Sequence, residues 1–223
     1  MKIFNYILLM GIVLFIGCSS STDKIKIKGN GIIVSENRVL TEFHSIDVRG
    51  AFKIVVEESD RSKVNVETDE NIMPYIDTEI IDQVLFIKYT QKGTYTESKQ
   101  TTIFVEMPIL KYVSSSGANN FNINDIHNEN ILEIQASGAG NINLSGNVKN
   151  VTIDIAGAVN MNAKQLLTKN TTINASGTCM AQLQALELLD ISLSGACSVY
   201  YIGTPMTLNQ ETSGMCTIQS IVE

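Results

Sequence analysis

The sequence predicts an all-β fold, a right-handed parallel β-helix with about 18–21 residues per coil in the C-terminal half. Three observations carry this. Six short motifs recur, Ser116-Gly117-Ala118, Ser137-Gly138-Ala139, Ala156-Gly157-Ala158, Ser176-Gly177-Thr178, Ser194-Gly195-Ala196 and Ser213-Gly214-Met215, with glycine spacings of 21, 19, 20, 18 and 19 residues. Around each glycine, apolar side chains recur at every second position, the period of a strand with one buried face. A unit this short cannot bury its own apolar face. Stacking units in parallel does so and gives each backbone N–H and C=O a partner one unit away.

The elements follow in chain order. Residues 1–17 carry Lys2 and then an apolar run, Ile3 to Gly17, too short for a comfortable membrane span and ending in Phe15-Ile16-Gly17-Cys18. This resembles a bacterial lipoprotein signal, with Phe15 where the usual pattern has Leu. Cleavage after Gly17 leaves Cys18 as an acylated N-terminus, and acyl chains anchor a protein to a membrane by burying many CH₂ groups. Residues 18–28 read as a polar tether. Residues 29–223 read as one β-helical domain, with irregular N-terminal coils or a cap over 29–108 and regular glycine-marked repeats over 109–223. Residues 18–108 hold 11 basic and 15 acidic side chains against 4 and 8 in 109–223, but no Pro/Gly-rich linker divides them.

Within the repeats, the residues four before the glycine (Val113, Ile134, Ile153, Ile173, Ile191) and four after it (Phe121, Ile142, Met161, Ala181, Val199) are expected to point inward. Asn120, Asn122, Asn141, Asn143, Asn160 and Asn162 flank the second set and are expected to form outward amide ladders. Gly157 and Gly177 should turn corners at positive φ or in close contact with the next coil. Gly146, in a loop outside that column, is expected to accept Ala. Ile46-Asp47-Val48-Arg49-Gly50 follows the repeat pattern, whereas the stretch from Gly50 to Gly117 lacks the marker, and residues 53–108 are left without an assigned path.

Four pieces together resemble a known family: Gly29-Asn30-Gly31, Phe43-His44-Ser45-Ile46-Asp47-Val48-Arg49-Gly50-Ala51-Phe52, Asp69-Glu70-Asn71-Ile72-Met73-Pro74-Tyr75-Ile76, and the Ser-Gly-Ala repeats with Asn following. They are similar to the auto-transporter adhesin head GIN domain of Bacteroidota lipoproteins and secreted proteins, over roughly residues 29–220. The resemblance implies a β-helical fold and an exported location. It implies no catalytic or binding residues. The last three repeats depart from the pattern, with Met180, Ser198 and Thr217 in place of Asn, and with Cys179, Cys197 and Cys216.

The candidate sites are few. A formal charge of −7 gives a nucleic-acid role no electrostatic support. The two histidines, His44 and His127, are too far apart in sequence for a paired relay, and Trp is absent. No metal site, cofactor or catalytic residue is expected. The three cysteines share a column that also holds Val159 and Gly140, so they read either as small buried hydrophobes or as a source of one disulfide between neighbouring coils. Asp154 and Glu211 share an outward column three coils apart, about 14 Å at the spacing of strands, as do Glu133 and Asp190. Glycosidic carboxylate pairs sit at about 5–9.5 Å. Tyr200, aligned with Asn122 and Asn143, should point outward and is the candidate ligand contact; Tyr112 is a second possible platform, and Tyr75, Tyr89 and Tyr95 could line an N-terminal cap. Tyr201 should face the core. The function expected is a non-catalytic cell-envelope lipoprotein of adhesin type, held at the outer membrane by its lipid and presenting a surface to a glycan or protein partner. The periplasmic face is favoured, because no acidic run follows Cys18. The alternatives are a polysaccharide-active lyase or hydrolase and a purely structural envelope protein.

Overall fold

The computed structural model describes residues 25–221, and the expected signal segment and Cys18 lie outside them. The described chain is all-β. In order it forms β1 (Ile25–Lys28), β2 (Ile33–Arg38), β3 (Ser45–Gly50), β4 (Lys53–Glu58), β5 (Lys63–Asp69), a 3₁₀ turn (Met73–Tyr75), β6 (Ile76–Ile81), β7 (Val84–Tyr89), β8 (Gly93–Thr96) and β9 (Thr102–Met107). There follow β10 (Tyr112–Gly177), β11 (Met180–Gln184), β12 (Leu188–Gly195), β13 (Ser198–Ile202), β14 (Thr207–Gly214) and β15 (Thr217–Ser220).

β10 is 66 residues of extended backbone. It is laid back upon itself, since Gly117, Gly138 and Gly157 lie one against the next. Beyond it the chain continues in parallel register, Gly177 beside Gly195 and Gly195 beside Gly214. The strands after the corner do likewise, Met161 beside Ala181, Ala181 beside Val199 and Val199 beside Ile218.

The apolar columns point inward as their two-residue period requires. Ile46, Val113, Ile134, Ile153, Ile173 and Ile191 are buried, as are Ile54, Phe121, Ile142, Met161, Ala181 and Val199. The amide ladders form on the outside, with Asn141 Nδ2 donating to Asn120 Oδ1 at 2.8 Å, Asn143 Nδ2 to Asn122 Oδ1 at 2.8 Å and Asn160 Nδ2 to Asn141 Oδ1 at 3.4 Å. Asn162 does not join them, and its Oδ1 accepts from the Lys164 N–H at 3.4 Å. One amide goes inward instead. Asn119, two residues after Gly117, is buried; its Oδ1 accepts from the Phe52 N–H at 3.0 Å and its Nδ2 donates to Ser115 Oγ at 3.1 Å and the Ser116 carbonyl at 3.0 Å.

Spatial order departs from chain order in the N-terminal part. β3 and β4 pair directly with Tyr112–Gly117 and Asn120–Asn124, although a long excursion separates them in sequence. That excursion returns on the far side, where β7 pairs with β3 and β9 with β4, both in parallel. There the direction reverses. β6 pairs with β7, β5 with β9 and β2 with β5, all antiparallel. The β6–β7 hairpin turns on Asp82 and Gln83, at φ 50° and 62°, the two positive values that a type I′ turn needs. This antiparallel layer shields an edge that would otherwise invite pairing with another chain.

The Gly29-Asn30-Gly31 and Asp69-Glu70-Asn71 segments lock together in this layer. Asp69 is buried, and its carboxylate accepts from the Gly31 N–H at 2.8 Å, the Ser98 N–H at 2.9 Å and Ser98 Oγ at 2.6 Å. Asn71 Oδ1 accepts from the Asn30 N–H at 2.9 Å, while its Nδ2 donates to the Lys28 carbonyl at 2.8 Å. Burial disfavours the Asp69 charge, but the donors from Ser98 and Gly31 outweigh it and hold the carboxyl below its ordinary pKa.

The corner glycines are constrained twice. Gly117, Gly138, Gly157, Gly177, Gly195 and Gly214 all have φ between 91° and 135°. A Cβ on Gly177 would stand 2.6 Å from the Gly157 carbonyl oxygen, and one on Gly157 would strike the carbonyl oxygen of Gly138. Gly146 corrects the expectation that it would accept Ala: it has φ 127°, and a Cβ there would strike the backbone of Ile126. It turns a second corner of the same stack, which the sequence marked weakly, since a glycine stands eight residues after the corner glycine again only at Gly203. Gly203 has φ 97° with its nearest obstacle at 3.4 Å.

Two outcomes follow for stability. Gly203→Ala should cost only the strain of a left-handed backbone, about 1–2 kcal/mol, whereas Gly157→Ala and Gly146→Ala should each cost more, because the neighbouring backbone must move as well. Urea denaturation of the three variants checks the order, and equal losses would contradict close stacking. Asp69→Asn should destabilise by about 1–3 kcal/mol through donors left facing an amide. Because the folded-state pKa of Asp69 is depressed, its contribution is present above the unfolded value near 3.9 and lost as pH falls through the lower folded value. The wild type should therefore lose stability faster than Asp69→Asn as pH falls below about 4, as thermal melts across that range would show.

Candidate functional site

Alternation along the strands before each corner glycine sends two rows of side chains outward. One holds Ser114, Gln135, Asp154, Asn174, Ser192 and Glu211; the other holds Ser137, Ala156, Ser176, Ser194 and Ser213. Register keeps each row in line, with Asn174, Ser192 and Glu211 side by side and Ser176, Ser194 and Ser213 likewise. Between the rows runs a groove of about 680 Å³, floored by the small or aliphatic residues Ala136, Ile155, Ala175 and Leu193.

Hydroxyls, amides and two carboxylates supply the polar lining, and no cationic or aromatic side chain is among it. Asn174 Nδ2 donates to Asp154 Oδ1 at 2.9 Å. The Tyr112 hydroxyl, at one end, donates to Gln135 Oε1 at 2.9 Å, which turns the Gln135 Nε2 donor away from that contact. Ser137 and Ser176 hydroxyls donate to the Ser115 and Ile155 carbonyls, each at 3.3 Å. The groove thus offers donors and acceptors along its length. Asp154 and Glu211 are three units apart in one row, about 14 Å by strand spacing, too far for the paired carboxylates of a glycosidase.

The other candidates lie elsewhere. Tyr200 is half-buried on β13, between Gln182 and Gln219, and is not among the groove residues. Tyr201 is half-buried and packs against the core. Glu133 is exposed and Asp190 half-buried, both outside the groove. His127 Nδ1 faces Glu58 Oε2 at 3.2 Å on the surface, and His44 Nδ1 lies 2.8 Å from Ser45 Oγ. Among the described residues, no group of three or more His, Cys, Asp or Glu could hold a metal ion. Cys179, Cys197 and Cys216 are free thiols.

The tyrosines assigned to a cap do cluster there. Tyr89 and Tyr95 stack with ring centroids 3.9 Å apart, Phe52 lies 4.6 Å from Tyr89, and Tyr75 lies 5.9 Å from Tyr95. Burial, then the hydrogen bond to Glu97 at 2.6 Å, raise the Tyr89 pKa, so the phenol stays protonated. A smaller cavity of about 380 Å³ opens beside Tyr89 and Tyr95. Its cations are largely matched, Arg49 by Asp47 at 2.7 Å and Lys88 by Glu79 and Asp77. Sequence reasoning missed the groove because its lining is Ser, Ala and Asn, residues equally expected on any solvated face. Their signal was positional, two outward columns flanking one of small or aliphatic residues.

Solved structures share the fold. A "putative adhesin" from Bacteroides fragilis superposes with a TM-score of 0.70 at 18% identity, covering 87% of this chain and 100% of its own. A "putative lipid binding protein" from Parabacteroides distasonis gives 0.59 at 18% identity, over 88% and 100%. A "putative adhesin" from Parabacteroides merdae gives 0.52 at 18% identity, over 88% and 99%. At such identity the likeness is one of fold alone. No curated protein matches the chain. The family model described as "Putative auto-transporter adhesin, head GIN domain" matches residues 42–205, from just before β3 to the turn that precedes β14, and the chain belongs to that family.

Proposed function

We propose that the protein is a non-catalytic adhesin domain of the cell envelope, a right-handed parallel β-helix whose serine-lined groove takes a glycan. The groove carries this reading. A polymer of hydroxylated rings needs alternating donors and acceptors at regular intervals, and the two rows repeat them at each strand spacing of about 4.8 Å. The absence of a cation from the lining favours a neutral glycan over an acidic one. The wide separation of Asp154 and Glu211 speaks for binding without turnover. Family membership, and the adhesin names of two similar structures, agree with a role in attachment.

Anchoring is part of the same reading. The apolar run ending at Cys18 makes lipidation the attachment, with the domain held at the outer membrane and the periplasmic face favoured. Among the described residues, no helix is long and apolar enough to cross a membrane.

Two measurements test this. On a glycan array, Asp154→Ala should weaken binding of a neutral oligosaccharide roughly tenfold, the worth of one hydrogen bond to a charged group, and Asn174→Ala roughly threefold, the worth of a neutral one. Tyr200→Ala should leave it unchanged. Product release from the same ligands would favour the polysaccharide-active alternative, and loss of binding in Tyr200→Ala alone would move the site to β13. In cells fed a labelled fatty acid, Cys18→Ala should give an unlabelled, longer precursor; label retained in that variant would refute the anchor.

A further inference from the structure

Cys179, Cys197 and Cys216 each stand two residues after a corner glycine. The register that aligns Gly195 with Gly214 and Ser198 with Thr217 sets Cys216 beside Cys197. The Thr217 N–H donates to the Cys197 carbonyl at 2.9 Å. Neighbouring strands lie about 4.8 Å apart, within the Cα separation of about 4.4–6.8 Å that a disulfide spans. The two thiols also point the same way. Cys197 Sγ donates to the carbonyls of Ser194 at 3.6 Å and Gly177 at 3.8 Å. Cys216 Sγ repeats this one unit later, with Ser213 at 3.5 Å and Gly195 at 3.7 Å.

Cys197 could bond either neighbour, and the surroundings choose. Cys179 is buried between units, and burial, with Cys197 beside it, pushes its thiol up to about 12. The thiolate is the attacking species, so Cys179 is poorly placed to begin an exchange. Cys216 is partly exposed and belongs to the last described unit. Every residue of β14 in that unit is exposed, and among the described residues its one partner strand is β12. A unit covered on one side can shift to bring two sulfur atoms into bonding distance, whereas one packed on both sides resists.

We propose that Cys197 and Cys216 are a disulfide-forming pair, oxidised by a small-molecule or protein disulfide, and that the bond fastens the last described unit to the one before it. The Cys216 thiolate attacks one sulfur of the donor disulfide. A new S–S bond forms, the donor's own breaks, and one half of the donor leaves as a thiolate. Cys197, buried until the unit over it shifts, then gives its proton to the thiolate released in the first step and attacks Cys216 Sγ, and the second half of the donor leaves as a thiolate. Two protein thiols have given up two protons and two electrons, and the donor has taken the electrons. The closed loop contains β13 and β14, so the bond ties down the most exposed part of the stack. An envelope location, proposed above, is one where such a bond persists, but the chemistry can be read in vitro without it.

The purified, fully reduced chain is incubated with oxidised glutathione, the remaining thiols are alkylated, and the protein is digested and mapped by mass. The expected product is a cross-linked peptide joining Cys197 to Cys216, lighter by two hydrogen atoms. Its thermal midpoint should lie several degrees above that of the reduced protein. Cys179→Ser should form the same bond, and Cys216→Ser should show neither bond nor gain. A Cys179–Cys197 bridge, a bond to Cys18, a glutathione adduct persisting on Cys216, or no oxidation at all would each overturn the assignment.

Discussion

The structure rests on one close approach, that of each corner glycine to the backbone one unit below. Pairing strands one unit apart fixes their separation near 4.8 Å. Bending the chain sharply at the same point in every unit brings the inside of the bend nearer still, and no Cβ fits there. Everything else follows from keeping that bend in line. Apolar side chains before and after it meet their equivalents and form continuous columns. The amides of Asn120, Asn122, Asn141 and Asn143 meet theirs on the outside and bond. The groove is a product of the same alignment, since its rows would not be rows if the register slipped by one residue.

Much of this was legible in the residues. The glycine spacing and the two-residue period of Ile134, Ile153, Ile173 and Ile191 give the buried face and the parallel register together, because both are local and repeated. What escaped was either unrepeated or non-local. Gly146 turns a corner as tightly as Gly157 but has no equivalents in the neighbouring units to announce it. Asn119 looks like the ladder asparagines, yet its position two after Gly117 puts it inside, where it satisfies the Phe52 N–H. The β6–β7 hairpin uses Asp82-Gln83 instead of the Asn-Gly that would have signalled its turn. That β3 pairs with Tyr112–Gly117 across the whole excursion is a matter of loop closure, which side-chain pattern does not encode.

The two ends of the stack are treated differently. At the N-terminal end the chain reverses direction and covers the last parallel strands with β5, β2 and β6. At the other end nothing among the described residues covers β14 and β15, and composition changes instead. Gln210 and Thr212 occupy the columns that Ile191 and Leu193 hold one unit earlier. An uncovered Ile would leave apolar surface in water, whereas Gln and Thr leave little. The substitution is incomplete, for Leu208, beside the buried Leu189 of the unit before, is 37% exposed. A unit so placed keeps its position mainly by backbone hydrogen bonds to one neighbour.

The lock between Gly29-Asn30-Gly31 and Asp69-Glu70-Asn71 also has a mechanical meaning. Among the described residues β1 pairs only with β8, in a two-stranded sheet apart from the large one. Tension applied at Ile25 would first peel β1 from β8 one residue at a time, since the pull acts at the end of the pair. The bond from Asn71 to the Lys28 carbonyl would go with the end of β1, and the pull would then meet the hydrogen bonds from Gly31 to Asp69 and from Asn30 to Asn71. These must stretch together before β2 can be drawn from β5, because both bridge the same two short segments. A domain held by its N-terminal side while something tugs on its face would thus yield a short strand before its core, and the lock sets how far that yielding goes.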